Sequence, residues 1–426
     1  PFEARERKLI PKQRRKMKFR RTPKIKKKVS LMTTTGLAAL LILSVEPPAN
    51  AAQAPLKNGV SEVNITMTGD NGGTCVVDHN SAKAGPVTFN VVNKTATAIT
   101  ELELLSNNRI LGEKENMAPG LPAVKFTLTL DGGKYQIYCP GAEHEMTDFT
   151  VTGKSAAQPA GSTATILAQG TQDYATYVNG VVDAMVVGVN RLKADIDAGD
   201  LATAKADYAK ARPFYERIES DVNGFVLPGF KATDNAGNLD YLIDMRASNL
   251  DPKAGWHGFH AIERDLFGQG KITPETQQLA AELQKNVAQL DTLTKALTYK
   301  PEDLANGAAD LLEEVQNTKI NGEEEAYSHF DLVDFAGNVE GAQQAFAFLQ
   351  PGLEKIDPAL TKQVAAQFAA VHDMLETYRD AKVPGGYKYY TAELKASDAA
   401  KLSRTIQALQ EPLSKIGEKV AANKGA

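Results

Sequence analysis

The chain has 426 residues, 42% hydrophobic and 23% charged, with a formal net charge of −4. That length is more than one ordinary core organises, so two or three domains are expected, and the composition is that of a globular chain, not a disordered one. Apolar runs fall short of the roughly eighteen residues a spanning helix needs, which excludes a permanent transmembrane segment.

The charge is unevenly spread. Residues 1–51 carry fourteen Lys and Arg against Glu3, Glu6 and Glu46, a net of +11 that leaves −15 on the remainder. The basic run stands directly before an apolar segment, Val29 to Val45, which ends in Pro47-Pro48-Ala49-Asn50-Ala51. A basic region, a short apolar region and an A-x-A site describe a secretory signal, so cleavage after Ala51 and a periplasmic mature protein are expected. No Cys follows the apolar segment to carry a lipid. An acidic mature chain suits cations as ligands and speaks against nucleic acid as a partner.

Residues 52–153 read as a β-sandwich. Val60 to Met67 alternates apolar and polar residues, and Pro86 to Val92, Lys125 to Leu130 and Tyr135 to Cys139 are rich in β-branched and aromatic residues. Turn signals at Gly69-Asp70-Asn71-Gly72-Gly73, Ala84-Gly85-Pro86 and Asp131-Gly132-Gly133 separate them. Residues 154–162 are a linker by composition. From 163 to 426 the texture is helical, with helices expected at 163–198, 200–222, 238–248, 256–266, 273–298, 301–318, 323–349, 358–381 and 391–422. Pro274, Pro301 and Pro358 fall near helix starts, where proline is tolerated. Long helices with short connections predict a helical bundle domain, or two packed bundles.

The chemistry concentrates in Trp256-His257-Gly258-Phe259-His260-Ala261-Ile262-Glu263. On a helix, His260 and Glu263 share a face about 5–6 Å apart at Cβ, close enough to hold one metal ion between them. Acidic pairs accompany them: Glu216 with Glu219, Asp240 with Asp244, and Asp331 with Asp334 beside His329. One such pair is ordinarily a solvated helix face. Several, embedded among aromatics, point to side chains converging on a metal in a bundle core. A site rich in oxygen ligands with one imidazole suits iron, with zinc as the alternative.

The sandwich ends in Tyr138-Cys139-Pro140-Gly141-Ala142-Glu143-His144-Glu145-Met146, a Cys, His and Met in one closing loop. This resembles a cupredoxin, whose copper site is built from such residues. Two readings stay open: a Cys75–Cys139 disulfide, as in many exported proteins, or a modified copper or iron site drawing on Cys75, Cys139, His144, Met146, Glu101, Glu103 and Glu113.

The Glu216–Glu219 run, the Asp244 segment, the Trp256 to Glu263 core and Tyr327 to Phe335 together resemble the imelysin-like domain. A cupredoxin-like domain joined to the front of it resembles the periplasmic component of bacterial iron-uptake systems. That resemblance covers nearly the whole mature chain. It implies a ferrous or ferric iron carrier working beside a membrane iron permease and an exported haem peroxidase; an acidic surface and a carrier role fit a monomer. Its implied metal ligands are His260, Glu263, Glu216, Glu219, Asp244 and Asp331. The competing reading is a metallopeptidase, because imelysin-like domains have been classed with peptidases. A zincin needs H-E-x-x-H, with the glutamate between two histidines; here His257 and His260 are three apart and Glu263 follows them.

Overall fold

A computed structural model describes residues 53–69, 73–154, 162–222 and 224–423. The expected signal, residues 1–51, lies outside the described residues, as does most of the expected linker, 155–161. Lys154 closes one domain and Ser162 opens the next.

The first domain is the expected two-sheet sandwich. Its strands are β1 (Leu56–Lys57), β2 (Val60–Thr68), β3 (Thr74–Val77), β4 (Ser81–Lys83), β5 (Gly85–Asn93), β6 (Leu102–Ser106), β7 (Arg109–Lys114), β8 (Val124–Leu130), β9 (Gly133–Tyr138) and β10 (Met146–Thr152). One sheet runs β1-β2-β5-β8 with β3 on the free side of β2; the other runs β4-β10-β9-β6-β7. The β2–β5 and β4–β10 pairs are parallel and the remainder antiparallel. The period-2 pattern of β2 buries Val63, Ile65 and Met67 on one face. They meet Phe89, which stacks on Phe126 at 5.1 Å and meets the edge of Phe149 at 5.5 Å.

Cys75 and Cys139 are joined as a disulfide. It ties β3 of one sheet to the end of β9 in the other across 64 residues of chain. A loop of that length gives about 4 kcal/mol of stabilisation by restricting the unfolded chain. Reduction, or a Cys75→Ser/Cys139→Ser double substitution, is therefore expected to lower the sandwich's unfolding free energy by about that amount. Denaturant melts with and without reductant would read it.

The helices are α1 (Ser162–Ala198), α2 (Leu201–Glu216), α3 (Glu219–Val222), α4 (Leu239–Asp244), α5 (Gly258–Glu263), α6 (Pro274–Thr294), α7 (Pro301–Glu314), α8 (Asp331–Ile356), α9 (Pro358–Glu376), α10 (Ala392–Leu413) and α11 (Ile416–Ala421). Their apolar faces form one continuous core from Leu167 to Val420, so two separate bundles are not seen. Among the described residues no helix is long and apolar enough to cross a membrane.

Four expectations are corrected. The helix expected at 200–222 breaks after Glu216, where Pro213 inside α2 leaves the last turn short of a backbone donor. The one at 238–248 shortens to α4 and a single 3-10 turn, Ala247–Asn249. The last one, 391–422, divides into α10 and α11, with Pro412 just before the break. Residues 323–330 are not helical at all: the amides of Tyr327 and Ser328 donate to Glu263, and that of Glu325 to Asp331. Side chains have taken the donors a helix would have used.

The sandwich seats on α7 and α11. Lys114, buried, pairs with Asp310 and with Glu313 at 3.0 Å. Asn306 donates to the Thr127 carbonyl at 2.6 Å, and the Thr129 amide donates to Glu302 at 3.1 Å.

Candidate metal centre

Six segments aim charged side chains at one buried region. In α2, Arg212 and Glu216 stand one turn apart. In α4, the Asn238 side chain accepts the first amides and caps the helix, fixing Asp244 at its last turn. The start of α5 lies against the end of α4 at Gly258, where φ is +77° and a Cβ would stand 2.0 Å from the Ile243 carbonyl oxygen. Only glycine allows that approach, and it sets His260 beside Asp244. A π turn at Val315–Lys319 follows α7 and presents Lys319. The loop after it contributes Glu324 and Glu325, and α8 begins with Asp331 and Asp334.

His260, 1% exposed, has carboxylates on both ring nitrogens. Nε2 lies 3.5 Å from Asp244 and 3.2 Å from Glu324; Nδ1 lies 3.5 Å from Glu263 and 3.8 Å from Glu325. Two three-residue sets result, Asp244/His260/Glu324 and His260/Glu263/Glu325, each with one ligand atom per residue within 4.8 Å of the others. Ligand atoms about 2.1 Å from a common ion lie roughly 3–3.5 Å apart, so both sets are near metal-binding spacing. A third set, Glu216/Glu324/Asp334, lies alongside.

Cations are built into this region. Arg212 meets Asp244, Glu216 at 2.6 Å, Glu324 at 2.7 Å, and Glu325 and Asp334 at 3.3 Å. Its Nη2 is also 3.2 Å from His260 Nε2, so the guanidinium fills the Nε2 side. His260 Nδ1, by contrast, is buried without a hydrogen-bond partner. Lys319 reaches Glu216 at 3.1 Å and Glu324 at 3.2 Å, and Arg246 reaches Glu314 and, at 3.1 Å, Glu324. Carboxylates still outnumber these cations, and Glu216 and Asp334 have no hydrogen bond to either oxygen.

The electrostatics follow from that balance. Burial and Arg212 oppose a charge on His260, but Asp244, Glu263 and Glu324 outweigh them and raise its pKa to about 9. Burial pushes Asp244 up to about 8 against the pull of Arg212 and His260. Burial raises Glu324 too, but Lys319, Arg246 and His260 overcome it and hold Glu324 well below the usual range.

Of the residues expected from sequence, His260, Glu263 and Asp244 converge. Glu216 is one ion pair removed, joined through Arg212 and Lys319. Glu219 stands further out, 3.7 Å from Lys319 and accepting from Asn338 at 3.2 Å. Asp331 is not beside His260; it accepts the Glu325 amide and pins the loop. Glu324, Glu325, Arg212, Lys319 and Arg246 were missed. The Glu323-Glu324-Glu325 run favours a helix start by its own neighbours, and the Arg212/Glu216 spacing is a weak signal among ordinary surface pairs.

In the sandwich, the Cys-based site is not assembled. The two sulfurs are bonded to each other and offer no thiolate; His144 on the closing loop and Met146 at the start of β10 are exposed. Glu101 and Glu103 instead join Glu113 and Glu115 on the β6–β7 face.

Fold and site define a two-domain protein whose helical part encloses a single imidazole among buried carboxylates. The Imelysin family model matches residues 170–416. The iron uptake system component EfeO of Escherichia coli K12 is 34% identical over 372 residues, 86% of this chain and 92% of that protein. The EfeO protein of Shigella sonnei matches to the same extent. A solved structure of reduced rusticyanin covers 25% of this chain and 87% of its own, at 14% identity and a TM-score of 0.21. The chain belongs to the imelysin family, in the company of the EfeO iron-uptake components.

Proposed function

We propose that this protein is the exported, periplasmic iron-binding component of an iron-uptake system. It binds iron in the helical domain and passes it to a membrane permease, working beside an exported haem peroxidase. The observation that carries this reading is His260 flanked on Nδ1 by Glu263 and Glu325, with that nitrogen otherwise unpartnered. The EfeO relatives, named as iron uptake components, support it. One imidazole with several carboxylates suits ferrous or ferric iron. Copper loses its thiolates to the disulfide, so we assign the cargo as iron.

The site works as a cation exchanger. A proton on His260 and the guanidinium of Arg212 balance the carboxylates until iron arrives. Iron needs the His260 lone pair, so its binding expels a proton. Because His260 titrates near 9 and Asp244 near 8 in the folded protein, both hold protons at pH 6 and give them up towards pH 9. Apparent affinity is therefore expected to rise with pH from 6 to 8, up to about tenfold per unit for each proton released. Titrating iron into weakly buffered protein would read the proton release directly; iron uptake with no release, or no iron bound, overturns the reading.

The peptidase alternative is disfavoured by burial. His260, Glu263 and Glu325 are at most 1% exposed, which leaves no open face for a peptide. Zinc bound in preference to iron, with hydrolysis of a casein substrate, would reverse that choice.

A further inference from the structure

One face of α2 is turned to the buried centre. Tyr208, Arg212 and Glu216 follow at four-residue spacing, which lines them up along a single side of the helix. Tyr208 is 0% exposed. Its ring meets the edges of Phe259 at 5.9 Å and Phe267 at 5.6 Å, so its aim is fixed by packing. The hydroxyl donates to Glu325 Oε1 at 2.7 Å, the oxygen that faces His260 Nδ1. The charges of Glu325 and Glu263 both act on the phenol.

The two carboxylates on the Nδ1 side have one oxygen each to give. Glu263 Oε1 accepts the amides of Tyr327 and Ser328, and Glu325 Oε2 accepts the Ser328 hydroxyl. Glu263 Oε2, Glu325 Oε1 and His260 Nδ1 remain, three donors that leave positions open on iron. Two groups already donate to Glu325 Oε1: the Tyr208 hydroxyl and, at 3.3 Å, Arg212 Nε. An ion that takes this oxygen displaces one of them. The guanidinium stays charged, has no lone pair to offer and is held by Glu216, Asp244 and Glu324 as well. The phenol donates to Glu325 alone, and a buried hydroxyl stripped of its acceptor is costly. Losing its proton and turning the oxygen to the ion removes that cost.

We propose that Tyr208 completes the iron site, its phenol oxygen binding ferric iron as phenolate beside His260 Nδ1, Glu263 and Glu325. The proposal rests on the iron-carrier reading and assigns the oxidation state of the cargo. Charge decides between the two states. Glu263 and Glu325 already neutralise a ferrous ion, whereas a ferric ion in a buried site calls for one more anion, and phenolate is a hard oxygen donor that iron accepts. The step balances without any redox change: ferric iron and the phenol give an iron–phenolate bond and one proton, released to solvent.

The test is absorption spectroscopy on the mature chain, with ferric iron supplied as its nitrilotriacetate complex and ferrous iron supplied anaerobically. The ferric form is expected to show a visible phenolate-to-iron charge-transfer band that the ferrous form lacks. Tyr208→Phe keeps the ring and its packing. It should abolish the band and lower ferric affinity about tenfold or more in equilibrium dialysis, with ferrous affinity falling no more than about threefold. Ferric iron bound without the band, or a band that survives in Tyr208→Phe, overturns the assignment. So does an equal loss of affinity for both ions, which would make Tyr208 a hydrogen-bond partner that only orients Glu325. A parent chain that binds iron in neither state overturns the carrier reading along with it. Should Tyr208→Phe not fold, resonance Raman of the parent grown on ring-deuterated tyrosine decides: isotope-shifted ring modes enhanced at the band support the phenolate, and their absence overturns it.

Discussion

Replacing Arg212 with methionine is expected to destabilise the protein by about 3–5 kcal/mol at pH 8, the usual consequence of removing one partner from a buried ion network. Arg212 is 1% exposed and touches five carboxylates and His260. Methionine can occupy much of the space beside Tyr215 and Phe259, over whose rings the guanidinium lies at 5.8 and 5.5 Å. The loss is therefore one of charge. The pH dependence follows with a definite sign. Burial already raises Asp244 to about 8, with Arg212 pulling it down. Without Arg212, Asp244 moves higher still. A carboxyl whose folded pKa exceeds its unfolded value takes up a proton on folding, so the folded state gains as pH falls. The deficit against the parent should shrink as pH falls from about 10 to 7, through the Asp244 and His260 pKa values that Arg212 lowers, read by urea unfolding at each pH. A deficit constant across that range would mean that Arg212 acts through packing and not through charge.

Substituting His260 by alanine is expected to lower iron affinity about 100-fold or more, a loss of roughly 2.7 kcal/mol or greater. Its imidazole is the one nitrogen donor shared by both candidate sets. The companion variant requires care, because Glu263 does two things. Oε1 accepts the amides of Tyr327 and Ser328 at 2.7 Å each, while Oε2 faces His260 Nδ1 at 3.5 Å. Glu263→Ala would release the loop that carries Glu324 and Glu325. Glu263→Gln keeps a carbonyl acceptor for the two amides but removes the charge, and should lose affinity while retaining the parent's melting temperature. Competition dialysis with iron, copper and zinc offered in turn measures this. Affinity unchanged in His260→Ala would make the histidine an ordinary core residue and end the carrier reading.

Local patterns are what the chain displays most openly. Alternation from Val60 to Met67 and the punctuation at Asp131-Gly132-Gly133 are properties of neighbouring residues, and the strands appear where those patterns lie. His260 and Glu263 are likewise related by a single helical turn, so their shared face was legible without any tertiary information. The order of the two domains, and the change from period 2 to helical spacing after 154–162, were legible for the same reason.

Partnership between charges is another matter. Nothing near Arg212 in the chain marks it as buried; its counter-ions come from positions as far away as Glu324 and Asp334. Glu324 and Glu325 read as helix because their own neighbours favour helix, until Glu263 and Asp331 claim the loop's amides from a distance. The sandwich's cysteines left two chemistries open until β3 and β9 were brought together. By itself the sequence determined where most of the strands and long helices lie and that an imidazole and a carboxylate face the same way, because those follow from contacts a few residues apart. Tertiary structure alone decided which carboxylates surround His260 and which cations balance them, because buried charge is compensated through space and not along the chain.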